Sequence, residues 1–420
     1  MSLRAAITGS EETITVENEV SVDLEATRIM LENPKSPIHF LNLNGNEAIA
    51  NLWTDRTRIA KALGMQPGEI LGNLLNALSS PEKTVEVDDA PFRQNVMEDF
   101  DLRDLPIPKF FPGDGGRYIT SAVAIAEQDG RRNLSFHRMM LLDDRRFAIR
   151  LVPRHLFTMH RIAIERGEDL PVAFCIGVCP SILLAGASSV DFGQDEMEIA
   201  SALRRSGLGQ RVEIARSNGG LPVPAYAEYV LEGRITSQTT NEGPFVDITG
   251  TYDRIREQPV VEIDRIHHRD HPIFHIVLPG GLEHYLLMGM PREPIIFKTV
   301  RQVVPRVHEV RLTEGGCCWL HGVVSITKNK EGDGKNAIMA AFTGHPSMKK
   351  VTVVDGDVDV YDDQAVEWAV ATRFQASSDM VVINDAAGSS LDPSSTGLTS
   401  KVGIDATKPM WTDEFDKAIL

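Results

Sequence analysis

The sequence predicts a mixed protein, between α+β and α/β in class. An N-terminal α/β segment is expected over residues 1–100, a central domain over 101–290, and a linking helix with a C-terminal α/β domain over 291–420. Three observations lead there. A chain of 420 residues exceeds what one ordinary core fills, so two or three domains are expected. Its 42% apolar and 24% charged content is that of a globular protein. Helical and strand-like patterns alternate over the first hundred residues and again beyond about residue 291.

Bulk properties exclude several functions. The net charge of −16, with no basic block, argues against nucleic acid, since nothing would offset phosphate repulsion. No apolar run is long enough to span a bilayer, and the first twenty residues lack a secretory apolar core. A soluble cytoplasmic protein is expected. Cys175 and Cys179 sit in an apolar strand-like run and read as buried thiols. With Cys317 and Cys318 they form neither a metal-ligand pattern nor a disulfide framework.

In order, residues 23–33 carry helical spacing, 37–45 read as a buried strand, and 55–65 and 67–80 as helices, with Pro67 in a first turn. Short strands follow around Val85 and Asn95. A proline- and glycine-rich crossing, with a turn at 114–117, ends in a strand through Ile125. Residues 133–155 (NLSFHRMMLLDDRRFAIRLVPRH) read as two strands joined at Asp143 and Asp144, with a helix starting beyond His155. Asn133, Ser135 and His137 would share one strand face and Arg138 the other, against the apolar run 139–142. Convergent polar groups against a buried wall suit a ligand pocket. An exposed strand edge with solvated charges fits the same pattern.

Beyond this stretch come a buried strand (172–178) and an amphipathic helix over 195–205. Its first turn holds Glu196, which could simply answer the helix dipole. In the strand PVPAYAEYVLEGRITSQ, Glu228 and Glu232 share a face. Two such carboxylates repel unless a cation lies between them or one is protonated; solvent exposure of both is the alternative. From about residue 291 a helix leads into alternating strands and helices, which suggests a largely parallel sheet. The Ser-, Gly-, Thr- and Pro-rich tail reads as a long loop before a final short helix.

Several of these segments carry a resemblance. The chain resembles the UbiD family of decarboxylases through DLRDLPIPKFFPGDGGRYIT, NLSFHR, VPRH, QDEMEIASALR, PVPAYAEYVLEG with the following EGPF, KKVTVVDGDVDVYDDQAVEWAVATR and LDPSSTGLTSKVGIDAT, in the family's order. The resemblance implies a central split β-barrel-like flavin-binding domain. It also implies prenylated FMN held through Mn2+ or Mg2+, with K+ nearby, and a flavin prenyltransferase as cofactor supplier. Asn133, His155 and Glu196 would be the metal ligands, a donor set that suits a hard divalent cation better than zinc. Ser135, Phe136, His137, Arg138, Arg154, Ser189 and Lys349 would line the cofactor site. Arg138, Glu228 and Glu232 would form the family's Glu-Arg-Glu network. Glu232 would donate the proton, Glu228 would pair with Arg138, and Arg138 would orient the substrate carboxylate.

The implied reaction is reversible, non-oxidative decarboxylation of an α,β-unsaturated carboxylate. The compact length resembles the archaeal branch, the anhydromevalonate phosphate decarboxylases that yield isopentenyl phosphate; an aromatic acid decarboxylase is the rival. His137 and Arg154 depart from the aryl- and acrylic-acid members. One of them, or a basic residue of the loop ending at Arg117, would meet a substrate phosphate. The C-terminal domain would assemble a homo-oligomer.

Overall fold

A computed structural model describes residues 3–8, 12–412 and 414–415. The chain divides into two compact units, Met1–Leu287 and Met288–Leu420.

In the first unit, the strand Ile38–Leu43 turns at Asn44 and Gly45, both at positive φ, into the antiparallel strand Asn46–Ala50. The second of these strands is absent from the sequence reading. Ile14–Val16 and Ile273–Ile276 add parallel strands at either side. The helices Glu25–Glu32, Arg56–Leu63 and Ile70–Ser79 fall where helical spacing puts them. Asp55 caps the second through the Thr57 N–H, and a 3-10 turn at Pro67–Glu69 opens the third.

A nine-stranded, wholly antiparallel sheet forms the rest of this unit's frame. Its order runs Tyr118–Ile119, Met139–Leu141, Arg146–Ile149, Arg256–His268, Tyr229–Glu242, Leu170–Ile176, Val123–Gln128, Arg131–Phe136, and Asn95–Met97 pairs with Arg256–His268. The two long strands in the middle shift register at Glu232/Gly233. A Cβ on Gly233 would lie 2.0 Å from the Glu262 carbonyl oxygen, so only glycine permits this approach.

The strand expected to run on from residue 133 through 142 is broken. It ends at Phe136, and Met139–Leu141 pairs near the opposite end of the sheet. Only His137 and Arg138 join the two, and so short a link reaches at most about 11 Å. The sheet must therefore curl until its ends adjoin, although no ladder closes it among the described residues. His137 and Arg138 sit at that split.

The second unit holds a five-stranded sheet in the order Val307–Leu312, His321–Ile326, Lys350–Asp355, Leu398–Ala406, Met380–Ala387. Only the two inner pairings are parallel; both edge strands are antiparallel. The tail, expected as a loop, supplies an inner strand of this sheet instead. Its alternation of small and apolar residues is weak because it buries only part of each face. The short final helix expected at the C-terminus falls mostly outside the described residues. Among described residues no helix is long and apolar enough to cross a membrane.

Candidate active site

The strand Arg131–Phe136 presents Asn133, Ser135 and then His137 in one row, as period-two alternation requires. Asn133 Oδ1 accepts from Ser135 Oγ at 3.0 Å, and Ser135 Oγ lies 2.9 Å from His137 Nε2. Beside the row starts the helix Glu196–Leu208, capped by Asp195, which also binds Arg132. Glu196 is 2% exposed. Its Oε1 meets Asn133 Nδ2 at 3.0 Å and His155 Nδ1 at 3.3 Å, and its Oε2 accepts from the Leu134 N–H at 3.0 Å. His155 opens the helix His155–Glu165.

An amide, a carboxylate and an imidazole thus converge from three elements. Glu196 is a buried carboxylate whose ion-pair partner is an imidazole, not a lysine or arginine. A divalent cation would supply the missing charge, so the donor set fits a hard metal completed by further oxygens. Among the described residues no group of three or more His, Cys, Asp or Glu side chains is placed to hold a metal; this cluster has two such side chains and an amide.

Beyond the split lies Arg138, held by three carboxylates. Nε and Nη2 grip Glu242 at 2.9 and 3.0 Å, Nη1 binds Asp247, and Nη2 also reaches Asp253 at 3.0 Å. Phe245 stacks on the guanidinium, 4.6 Å from ring centre to carbon. Glu242 is fully buried and also accepts from Tyr118 Oη at 3.2 Å. Asp247 accepts from the Ile248 N–H at 2.7 Å and keeps 15% of its side chain exposed. His284 lies within electrostatic reach of both Asp247 and Arg138. Burial pushes its imidazole below the ordinary value, with Asp247 opposing and Arg138 reinforcing.

Comparison with known proteins decides what this arrangement belongs to. Residues 6–78, 83–282 and 285–406 match, in turn, the N-terminal, Rift-related and C-terminal domains of 3-octaprenyl-4-hydroxybenzoate carboxy-lyase, UbiD. The chain belongs to the UbiD family. It is 44% identical to the anhydromevalonate phosphate decarboxylase of Methanothermobacter thermautotrophicus, with 96% of each chain covered. Identity to the Methanosarcina mazei enzyme of the same name is 45%, over 97% of this chain and 96% of the other. The UbiD-class enzyme HmfF from Pelotomaculum thermopropionicum, solved with FMN, superposes with a TM-score of 0.96 at 38% identity, covering 100% of this chain and 97% of that one. An evolved dimeric form of HmfF, in complex with prFMN, gives 0.92 at 35% identity, covering 100% and 97%.

Within the UbiD frame, two expected glutamates stand elsewhere. Glu228 is fully buried, but its cations are Arg4, at 2.7 and 2.9 Å, and Arg269 at 3.1 Å. It ties the helix Leu3–Thr8 to the sheet. Glu232 binds His267 at 2.9 Å and the Gly219 N–H at 2.8 Å. Burial opposes its ionisation, yet the bonds from His267, Ser217 and Gly219 outweigh burial and hold the carboxyl below its usual range. Neither residue pairs with Arg138. Same-face alternation places both on one side of the strand but says nothing about which loop covers that side.

Other expected contacts also change. His137 is 9% exposed with both ring nitrogens engaged, Nδ1 with the Arg150 carbonyl at 3.0 Å, so it is not free for a substrate phosphate. Arg117 donates to the Ile107, Arg103 and Leu105 carbonyls and is equally committed. Arg154 is exposed and touches Ser189 Oγ at 2.8 Å. Phe136 is half-buried and alternates to the opposite face from Ser135. Lys349 lies in the second unit, where Asp392 at 2.9 Å and Ser394 hold its ammonium. Arg138 already makes four hydrogen bonds to carboxylates, so its fork is not open to a substrate carboxylate. The sequence signal for its true partners was the pair of carboxylates flanking Gly243-Pro244, Glu242 and Asp247, with Asp253 just beyond.

Proposed function

We propose that this chain is a prenylated-FMN-dependent decarboxylase of a phosphorylated α,β-unsaturated carboxylate, of the anhydromevalonate 5-phosphate type, giving isopentenyl phosphate. The observation that carries the reading is the Arg138–Glu242–Asp247 network, five residues along the chain from Asn133 in the Asn133–His155–Glu196 cluster. The relatives' names and their identity over nearly the whole chain support this substrate over an aryl acid.

Asn133, His155 and Glu196 would hold the divalent metal, manganese or magnesium, that carries the cofactor phosphate. Bound there, prenylated FMN supplies an electron sink for the pair left when carbon dioxide departs. The chain supplies the proton. Asp247 is the partly exposed carboxyl of the network, so it can give a proton to the substrate carbon and recover one from solvent. Arg138 and the Ile248 N–H stabilise the carboxylate left behind. Glu242, fully buried, with both oxygens bound by Arg138, serves to fix the guanidinium. With Arg138 committed, the substrate's anions fall to Arg154 and to half-buried Arg150, which donates to the Leu151 carbonyl through Nη1.

A flavin prenyltransferase would supply the cofactor. Assembly into a homo-oligomer is supported by the edge strand Met380–Ala387, which leaves Met380 41% and Val382 56% exposed. The test is co-expression with such a prenyltransferase, followed by assay of trans-anhydromevalonate 5-phosphate against aryl and cinnamic acids. Turnover of an aryl acid alone would defeat the substrate assignment.

A further inference from the structure

The row Asn133–Ser135–His137 contains one proton too few. His137 Nδ1 lies 3.0 Å from the Arg150 carbonyl, which can only accept, so Nδ1 carries the ring proton. A neutral ring then leaves Nε2 as an acceptor, 2.9 Å from Ser135 Oγ. Ser135 Oγ is also 3.0 Å from the Asn133 side-chain oxygen, a second acceptor. One hydroxyl proton cannot serve both. A doubly protonated ring would resolve the conflict, but burial with no carboxylate beside it pushes His137 down to about 4.

The remaining solution turns the Asn133 carboxamide through 180°, an operation that interchanges two nearly indistinguishable atoms. Ser135 then donates to His137 Nε2 and accepts from Asn133 Nδ2. The Asn133 oxygen takes the place of the nitrogen, 3.0 Å from Glu196 Oε1 and beside His155. That contact between two acceptors needs a cation, or a proton on Glu196, between them.

We propose that His137 is a positioning residue which, through Ser135, holds the Asn133 amide with its oxygen toward Glu196 and His155. This rests on the divalent-metal reading of those three residues. In this role His137 acts through Ser135 and fixes which end of the amide a metal meets.

The full chain, free of prenylated cofactor, is titrated with Mn2+ in the presence of FMN, and free Mn2+ is read by electron paramagnetic resonance. Ser135→Ala and His137→Phe should each weaken Mn2+ binding by roughly 10–100-fold, the range typical of lost outer-shell partners. The double variant should be no worse than the weaker single one. His137→Gln, whose amide can donate to the Arg150 carbonyl and accept from Ser135, should restore binding. Wild-type affinity in Ser135→Ala, or losses that multiply in the double variant, overturns the relay. Ser135→Ala alone decides the matter should His137→Phe fail to fold. Glu196→Gln separates the two ideas: retention of Mn2+ there defeats the metal site itself.

Discussion

Arg138 binds both oxygens of Glu242, at 2.9 and 3.0 Å, across 104 positions of sequence. Asp247 and Asp253 share the same guanidinium, so one buried cation balances three carboxylates, with Arg256 assisting at Asp253. Removing it strips Glu242 and Asp247 of their guanidinium and leaves Asp253 with Arg256 alone. Arg138→Met should cost about 3–5 kcal/mol in urea unfolding at pH 8. The loss should shrink at pH 5.5, where the crowded carboxylates can take up protons. Equal losses at both pH values would mean that the three groups do not interact as described.

Asp247→Asn removes the exchangeable proton and keeps the shape. Turnover of the loaded enzyme should fall about a hundredfold or more, while FMN binding persists. Glu232→Gln should leave turnover within a fewfold and lower the unfolding temperature instead, since it breaks the bond to His267. A reversed pattern in the two variants would return the proton to Glu232.

Arg4→Ala should act on stability alone. It strips two short bonds from a fully buried carboxylate and leaves Glu228 with Arg269 and the Ile273 N–H. A loss of about 2–4 kcal/mol is expected, with KM unchanged. Unaltered unfolding would show that the helix Leu3–Thr8 contributes nothing to this unit.

His137 gives stability a pH dependence. Its folded-state value, about 4, lies below the ordinary 6.5. The neutral ring therefore contributes fully above about 6.5, and the contribution is lost as pH falls toward 4, where the unfolded chain binds a proton that the folded one refuses. On the order of 1–3 kcal/mol should disappear between pH 7 and 4.5. His137→Gln should flatten that limb of the unfolding curve. An unchanged slope would place the acid sensitivity in other groups.

Arg154→Ala tests the substrate phosphate. KM for the phosphorylated substrate should rise by tenfold or more, about 1.4 kcal/mol, and far less for a dephosphorylated analogue. Equal losses on both would assign Arg154 to the flavin side.

Much of this molecule is legible from its residues alone. Helical spacing marks Glu25–Glu32, Arg56–Leu63 and Glu196–Leu208, because one buried stripe repeats along each. Period-two alternation places Asn133, Ser135 and His137 on one face, and the segment matches identify the family. Local pattern fails where long-range pairing decides. Nothing local tells that the chain leaves one end of the sheet at Phe136 and rejoins it near the other at Met139. Nor does it tell that the tail strand Leu398–Ala406 inserts between two others. Local pattern cannot name the partners of Arg138 for the same reason. Glu228 and Glu232 share a strand face with the right spacing for a pair, but a charge is stabilised by what folds against it. Only the tertiary structure sets Glu242 and Asp247 against Arg138, and Arg4 and His267 against the other two.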